Sequence, residues 1–409
     1  MKFILITLVL ITHFSNAQSN SVKDWVKANA IRMEQSFGMR FLTEKNDIQI
    51  IGFGEASHGQ GSFFKHKINS FKWLVQNAGY LIFVLEAGFN ESLKINQYVL
   101  YGEGSATEGL KYLNYGVWQI EEFVELIEWM RTYNKDKSLH EQVKFYGFDC
   151  QMSKGGVDYL KSIQGRMDYN FNDAELLLLE DLEKLQSSRD KRLAKNITPR
   201  LLSLSIKLEQ KILEANQDET FKKTSLTVLK NLQYFCDTER NNEKINALNR
   251  AKYMAENIGH ILEMEGKVKK IAFSAHNGHL TKYAKQKETG YWLKKIYGQR
   301  YYAIGYEFHQ GNTLGFDFID NELVFREITI EPSKYGTLGF LLSTLVGQDC
   351  YIDLVGKSIP EWFNQKQLCS DLLGCYGQKG CNQRYTKVII AESYDGIIYI
   401  DKTEAANKM

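Results

Sequence analysis

Glu55 and His58 stand three residues apart in "GFGEASHG", at the exit of an apolar run that begins at Ile50. A histidine beside a carboxylate is a unit for taking a proton from water, the carboxylate fixing the tautomer and stabilising the imidazolium. Other apolar runs also close on acids or bases: Glu86 in "YLIFVLEA", Asp149 in "QVKFYGFD", and His276 and His279 in "SAHNGHL" after "VKKIAFSA". Singly, each has a structural reading. Glu55 could cap the following turn, Asp149 could be an N-cap, and a lone histidine is commonly a satisfied structural group. Together they point to chemistry, because a carboxylate at the end of a buried strand needs partners. The same residue types also ligate zinc or another divalent ion, with His58, His276, His279 and one glutamate as the ligand set. No HExxH pair fixes such a geometry, no GxSxG elbow presents a serine, and no GxxxxGK[ST] loop cradles a phosphate.

The elements that must position these residues are buried strands. Runs at 47–54, 80–87, 142–149, 268–275 and 300–308 are rich in β-branched and aromatic residues. Helical patterns lie between them, as in "GSFFKHKINSFKWLVQNA" and "VWQIEEFVELIEWMRTYN". The alternation predicts an α/β fold, a largely parallel central sheet covered by helices. In such a sheet the carboxyl ends of the strands share one edge, where ligands bind. From about 155 to 264 the chain is charged and leucine-rich, with "AELLLLEDLEKLQ" and "LLSLSIKLEQKILEA", and reads as a long helical insertion interrupted by Pro199. A coiled-coil arm is the alternative, but the apolar steps keep no strict heptad. The closing "VIIAESYDGIIYIDKTE" returns to strand.

The bulk numbers exclude several function classes. The 409 residues are 44% hydrophobic and 13% aromatic, enough for a sizeable core. With 51 basic and 49 acidic residues the formal charge is +2, which does not favour nucleic acid or anionic membranes as partners. Residues 1–17 have the layout of a secretory signal peptide cleaved after Ala17, which predicts an exported protein, periplasmic or secreted, without stable membrane insertion. Cys350, Cys369, Cys375 and Cys381 cluster near the C-terminus and read as local disulfides rather than a zinc ribbon, whereas Cys150 and Cys236 read as buried thiols.

"GFGEASHG" resembles the GExxHG signature of the erythromycin esterase family. Glu86 in "VLEAG", the aspartate of "YGFD", the "NRAKYMAEN" segment and "AHNGHL" are similar to further family elements, and the likeness spans about 50–308. The resemblance implies an 18–409 hydrolytic domain that cleaves a carboxylic ester, in the best-known members the lactone of a macrolide antibiotic, with antibiotic inactivation as the result. It also implies His58 as general base, Glu55 and Glu86 orienting it, and His276, with His279 near it, holding water or stabilising the oxyanion. Arg250 would orient a carboxylate of the site, and Asp149 is a further supporting residue. Family members often carry arginine where this chain has Lys67, which keeps the charge but not the planar fork. Water attacks directly in this reading and no cofactor is required. The alternatives are a divalent-metal hydrolase of another ester using the same His/Glu cluster, and a binding protein that has lost the reaction.

Overall fold

The computed structural model describes residues 21–33, 45, 47–320, 322–356, 358–382 and 384–409. The proposed signal peptide lies outside the described residues. Eleven strands are described: β1 (Ile31–Arg32), β2 (Ile50–Phe53), β3 (Tyr80–Gly88), β4 (Lys144–Asp149), β5 (Lys270–Ser274), β6 (Tyr301–Ile319), β7 (Glu322–Ile330), β8 (Cys350–Asp353), β9 (Lys366–Ser370), β10 (Tyr385–Ile389) and β11 (Gly396–Thr403). The main sheet runs β1-β8-β11-β6-β2-β5-β3-β4, with β7 added to β6, while β9 and β10 pair separately. Pairings from β4 across to β11 are all parallel; β8 and β1 join antiparallel beyond β11, and β7 pairs antiparallel with the far half of β6. The chain is therefore α/β with a mostly parallel sheet.

Successive residues of the central strands face opposite layers, which is why their sequences are continuously apolar. Ile50, Ile82, Val84 and Ile271 enter one buried cluster, and Ile51, Phe83, Leu85 and Ala272 the other. The second layer is built by α1 (Gly61–Ala78), α2 (Phe89–Tyr101) and α3 (Glu121–Asn134), which contribute Phe63, Phe71, Ile95, Phe123 and Ile127. Between β4 and β5 the chain is helical: α4 (Lys154–Ser162), α5 (Asp173–Ser188), α6 (Lys191–Glu214), α7 (Glu219–Arg240) and α8 (Glu243–Glu265) pack Leu182, Leu204, Leu232 and Ile258 onto the first layer. Side chains start the last four of these, Asn172, Asp190, Asp218 and Asn242 each accepting a first-turn N–H.

Two expectations need correction. Pro199 does not interrupt the helix, since α6 runs through it. The proline and the carbonyl of Lys195 that it leaves without a donor are on the exposed face, where water can serve that carbonyl. The run at 300–308 continues as strand to Ile319 and folds back as β7 into a long hairpin. Gly311 within it has φ 132° and lies close against the backbone of Thr403, where a side chain would not fit.

Candidate active site

The carboxyl ends of β4, β3, β5 and β2 lie side by side, with Leu85 and Phe53 both registered on Ser274. The eight residues singled out from the sequence form one chain of contacts along this edge. Glu55 is fully buried two residues past β2, and its Oε1 meets His58 Nδ1 at 2.6 Å. Its Oε2 is paired with the equally buried Lys67 of α1, whose Nζ also donates to Ser274 Oγ at 3.0 Å. Lys65 pairs instead with Glu404 and His66 with Tyr306, so Lys67 alone of that basic group reaches Glu55. Burial pushes the Glu55 carboxyl up, but Lys67 and His58 outweigh it and hold it below the ordinary carboxylate range. With Nδ1 committed to a carboxylate, His58 presents Nε2 as its accepting atom.

Glu86, at the end of β3, organises the opposite side. Its Oε2 accepts from His276 N at 2.8 Å, and its Oε1 lies 3.1 Å from His279 Nε2 and 3.2 Å from Arg250 Nη2. Arg250, from α8, grips Asp149 with two nearly parallel bonds of 2.9 and 2.8 Å. Nearly two turns further along α8, Asn257 donates to Phe148 O, so the helix is tied to β4 at two points. Burial raises Glu86, but His279, His58 and Arg250 hold it well below its usual range. His279 lies between Glu86 and Glu288, and against the cost of burial these carboxylates raise its pKa to about 9. It is therefore a cation near neutral pH.

His276 is different. Its Nδ1 accepts from Gly278 N at 3.2 Å, which places the ring proton on Nε2. That Nε2 is buried without a hydrogen-bond partner among the described residues. Burial, then the neighbouring His58, lower its pKa to about 4, so it is a neutral donor. Its ring centroid is 5.7 Å from that of His58, and on the other side Trp118 packs edge-on against His58 at 4.9 Å.

Trp118, Glu288 and Asp371 were not anticipated. Trp118 donates to Glu86 O, and Asp371 Oδ1 lies 3.5 Å from His276 Nε2. The only sequence signal near Asp371 was its place in the cysteine-rich segment. There, Cys375 and Cys381 form a disulfide, whereas Cys150, Cys236, Cys350 and Cys369 are buried free thiols. Among the described residues no group of three or more His, Cys, Asp and Glu is arranged to hold a metal ion. Two cavities, of about 530 and 630 Å³, lie elsewhere: one beside Ser205 and His260 in the helical layer, the other beside Lys94 and Tyr112.

The fold is thus an α/β sheet with an acid, base and cation network at its carboxyl edge. The erythromycin esterase family model matches residues 75–403, and the chain belongs to that family, which places it among esterase-type hydrolases. The match takes in Glu86, Asp149, Arg250, His276 and His279 and begins after the Glu55–His58 turn. The chain is 21% identical to an Escherichia coli protein named erythromycin esterase type II, over 88% of this chain and 91% of that one. Among solved structures it resembles a succinoglycan biosynthesis protein, with TM-score 0.75, 21% identity and 96% and 99% of the two chains covered. It also resembles a mutant of the erythromycin esterase EreC in its open conformation, with TM-score 0.64, 15% identity and 90% and 94% covered. No described helix is long and apolar enough to cross a membrane.

Proposed function

We propose that this protein is an exported carboxylic ester hydrolase that opens the lactone ring of erythromycin-type macrolides by direct attack of water. The observation that carries the reading is the 2.6 Å contact between His58 Nδ1 and a buried Glu55 kept charged by Lys67. In this mechanism His58 Nε2 takes a proton from water as the oxygen attacks the ester carbonyl. The carbonyl oxygen becomes an oxyanion and receives the hydrogen bond of His276 Nε2–H. As the C–O bond breaks, the imidazolium returns its proton to the leaving alkoxide, and a ring-opened hydroxy acid results. Glu86 holds His276 through its backbone N–H, and Arg250 and His279 keep Glu86 charged. General-base help contributes about 10²- to 10⁴-fold, so a covalent acyl-enzyme is not needed. The macrolide as substrate rests on the family and on the E. coli relative's name. Export rests on residues 1–17 and on the Cys375–Cys381 disulfide, which suits an oxidising compartment.

Mass spectrometry of erythromycin incubated with the mature protein tests the reading. The expected product gains one water, survives a chelator and falls at least ~100-fold in rate with His58→Ala. Loss of product with chelator would transfer the site to metal-assisted hydrolysis. No product from the intact protein would sink the macrolide assignment.

A further inference from the structure

Five carboxylates gather at the catalytic edge, and four of them meet a full cation. Glu55 has Lys67, Glu86 has Arg250 and His279, Asp149 has Arg250, and Glu288 has His279. Asp371 is the exception among them. Its ion-pairing neighbour is His276, which is held neutral, and its side chain remains 25% exposed. The edge therefore carries more negative than positive charge, with the surplus beside the reacting groups.

The position of Asp371 is built rather than accidental. Leu372 N donates to Ala56 O at 2.8 Å, tying this loop to the Glu55–His58 turn, and Ser370 N donates to the buried Glu307 at 2.9 Å. Asp371 N donates to Arg384 O, Leu373 N donates to Asp371 Oδ1, and the Cys375–Cys381 disulfide closes the loop just beyond.

We infer that Asp371 determines specificity by selecting esters that carry a positively charged amine near the scissile bond. An ammonium gains from a carboxylate that meets no full cation among the described residues and sits in a partly desolvated site. The inference rests on the esterase reading and adds the charge of its substrate.

Acetylcholine and 3,3-dimethylbutyl acetate have the same shape and differ in charge, so they isolate this term. At low salt the protein is expected to show a KM for acetylcholine roughly fivefold below that for the neutral ester, the size of a partly exposed ion pair. Added salt should shrink the difference. In Asp371→Asn the ratio should collapse toward one, Asp371→Glu should restore it, and Asp371→Lys should invert it. Absence of preference in the wild-type protein, or its survival in Asp371→Asn, overturns the inference. If neither acetate is hydrolysed, the esterase reading stands or falls on the erythromycin test, and binding is measured instead. Calorimetric titration with choline and with 3,3-dimethylbutan-1-ol then decides: binding selective for choline and lost in Asp371→Asn upholds the inference, and equal or no binding overturns it.

Discussion

Lys67 shows how one side chain sets the character of its neighbours. A guanidinium fork beside Glu55 would tend to take both carboxylate oxygens, whereas a compact ammonium takes Oε2 and Ser274 and leaves Oε1 for His58. Position 67 is 1% exposed, so the ammonium cannot be replaced by water or salt. Lys67→Met should leave a buried carboxylate without its cation, which then takes up a proton and loses its hold on His58. Breaking such a pair costs about 3–5 kcal/mol of stability, and kcat should fall roughly 100-fold. Urea unfolding and steady-state kinetics on the same variant check both numbers. A stable, fully active Lys67→Met protein would remove Lys67 and the charge of Glu55 from the mechanism.

At the scale of elements, the turn between β2 and α1 is held against the β6–β7 hairpin. Leu314 N donates to Gly59 O at 2.8 Å, and Ser57 Oγ meets Thr313 Oγ1 at the same distance. A Cβ on Gly59 would fall 1.8 Å from Leu314 O, where backbone faces backbone and no side chain can give way. Gly59→Ala should therefore push the hairpin off the catalytic turn, with about 1–3 kcal/mol lost to overpacking and a drop in kcat of more than tenfold. Thermal melts and turnover measured together distinguish this from simple loss of fold. The spacing of Glu55 and His58 was legible in the sequence because it is local. The hairpin was not, because Gly311 and Gly315 interrupt the apolar pattern that would announce a long strand.

The whole molecule carries two opposed sets of buried acids. Burial pushes Glu91 and Glu307 up to about 7, beyond what their backbone hydrogen bonds can offset. Their folded pKa values exceed the unfolded ones, so the stability they contribute is full below about pH 4.5 and is lost as pH rises through about 7. Glu55 and Glu86 have lowered values, so theirs is present above about pH 4.5 and lost as pH falls through the folded pKa. Glu307→Gln cannot ionise. Relative to the wild-type protein, its melting temperature should improve between pH 5 and pH 8. An unchanged difference across that range would mean that Glu307 does not titrate as described.

The parallel strands, their order of appearance and the acids and bases at their ends could be read from the chain alone. Apolar runs bounded by helical patterns leave few arrangements other than a parallel sheet, and a parallel sheet brings its carboxyl ends to one edge. Glu55, His58, Glu86, Asp149, His276 and His279 were visible for that reason, and Arg250 and Lys67 through the family likeness. Partnership was not visible. That His279 is charged while His276 is neutral depends on Glu288, Gly278 and burial. That Trp118 and Asp371 belong to the site depends on how two remote loops pack. Local spacing encodes strands and turns, but which distant groups share a desolvated space is set only when the layers close.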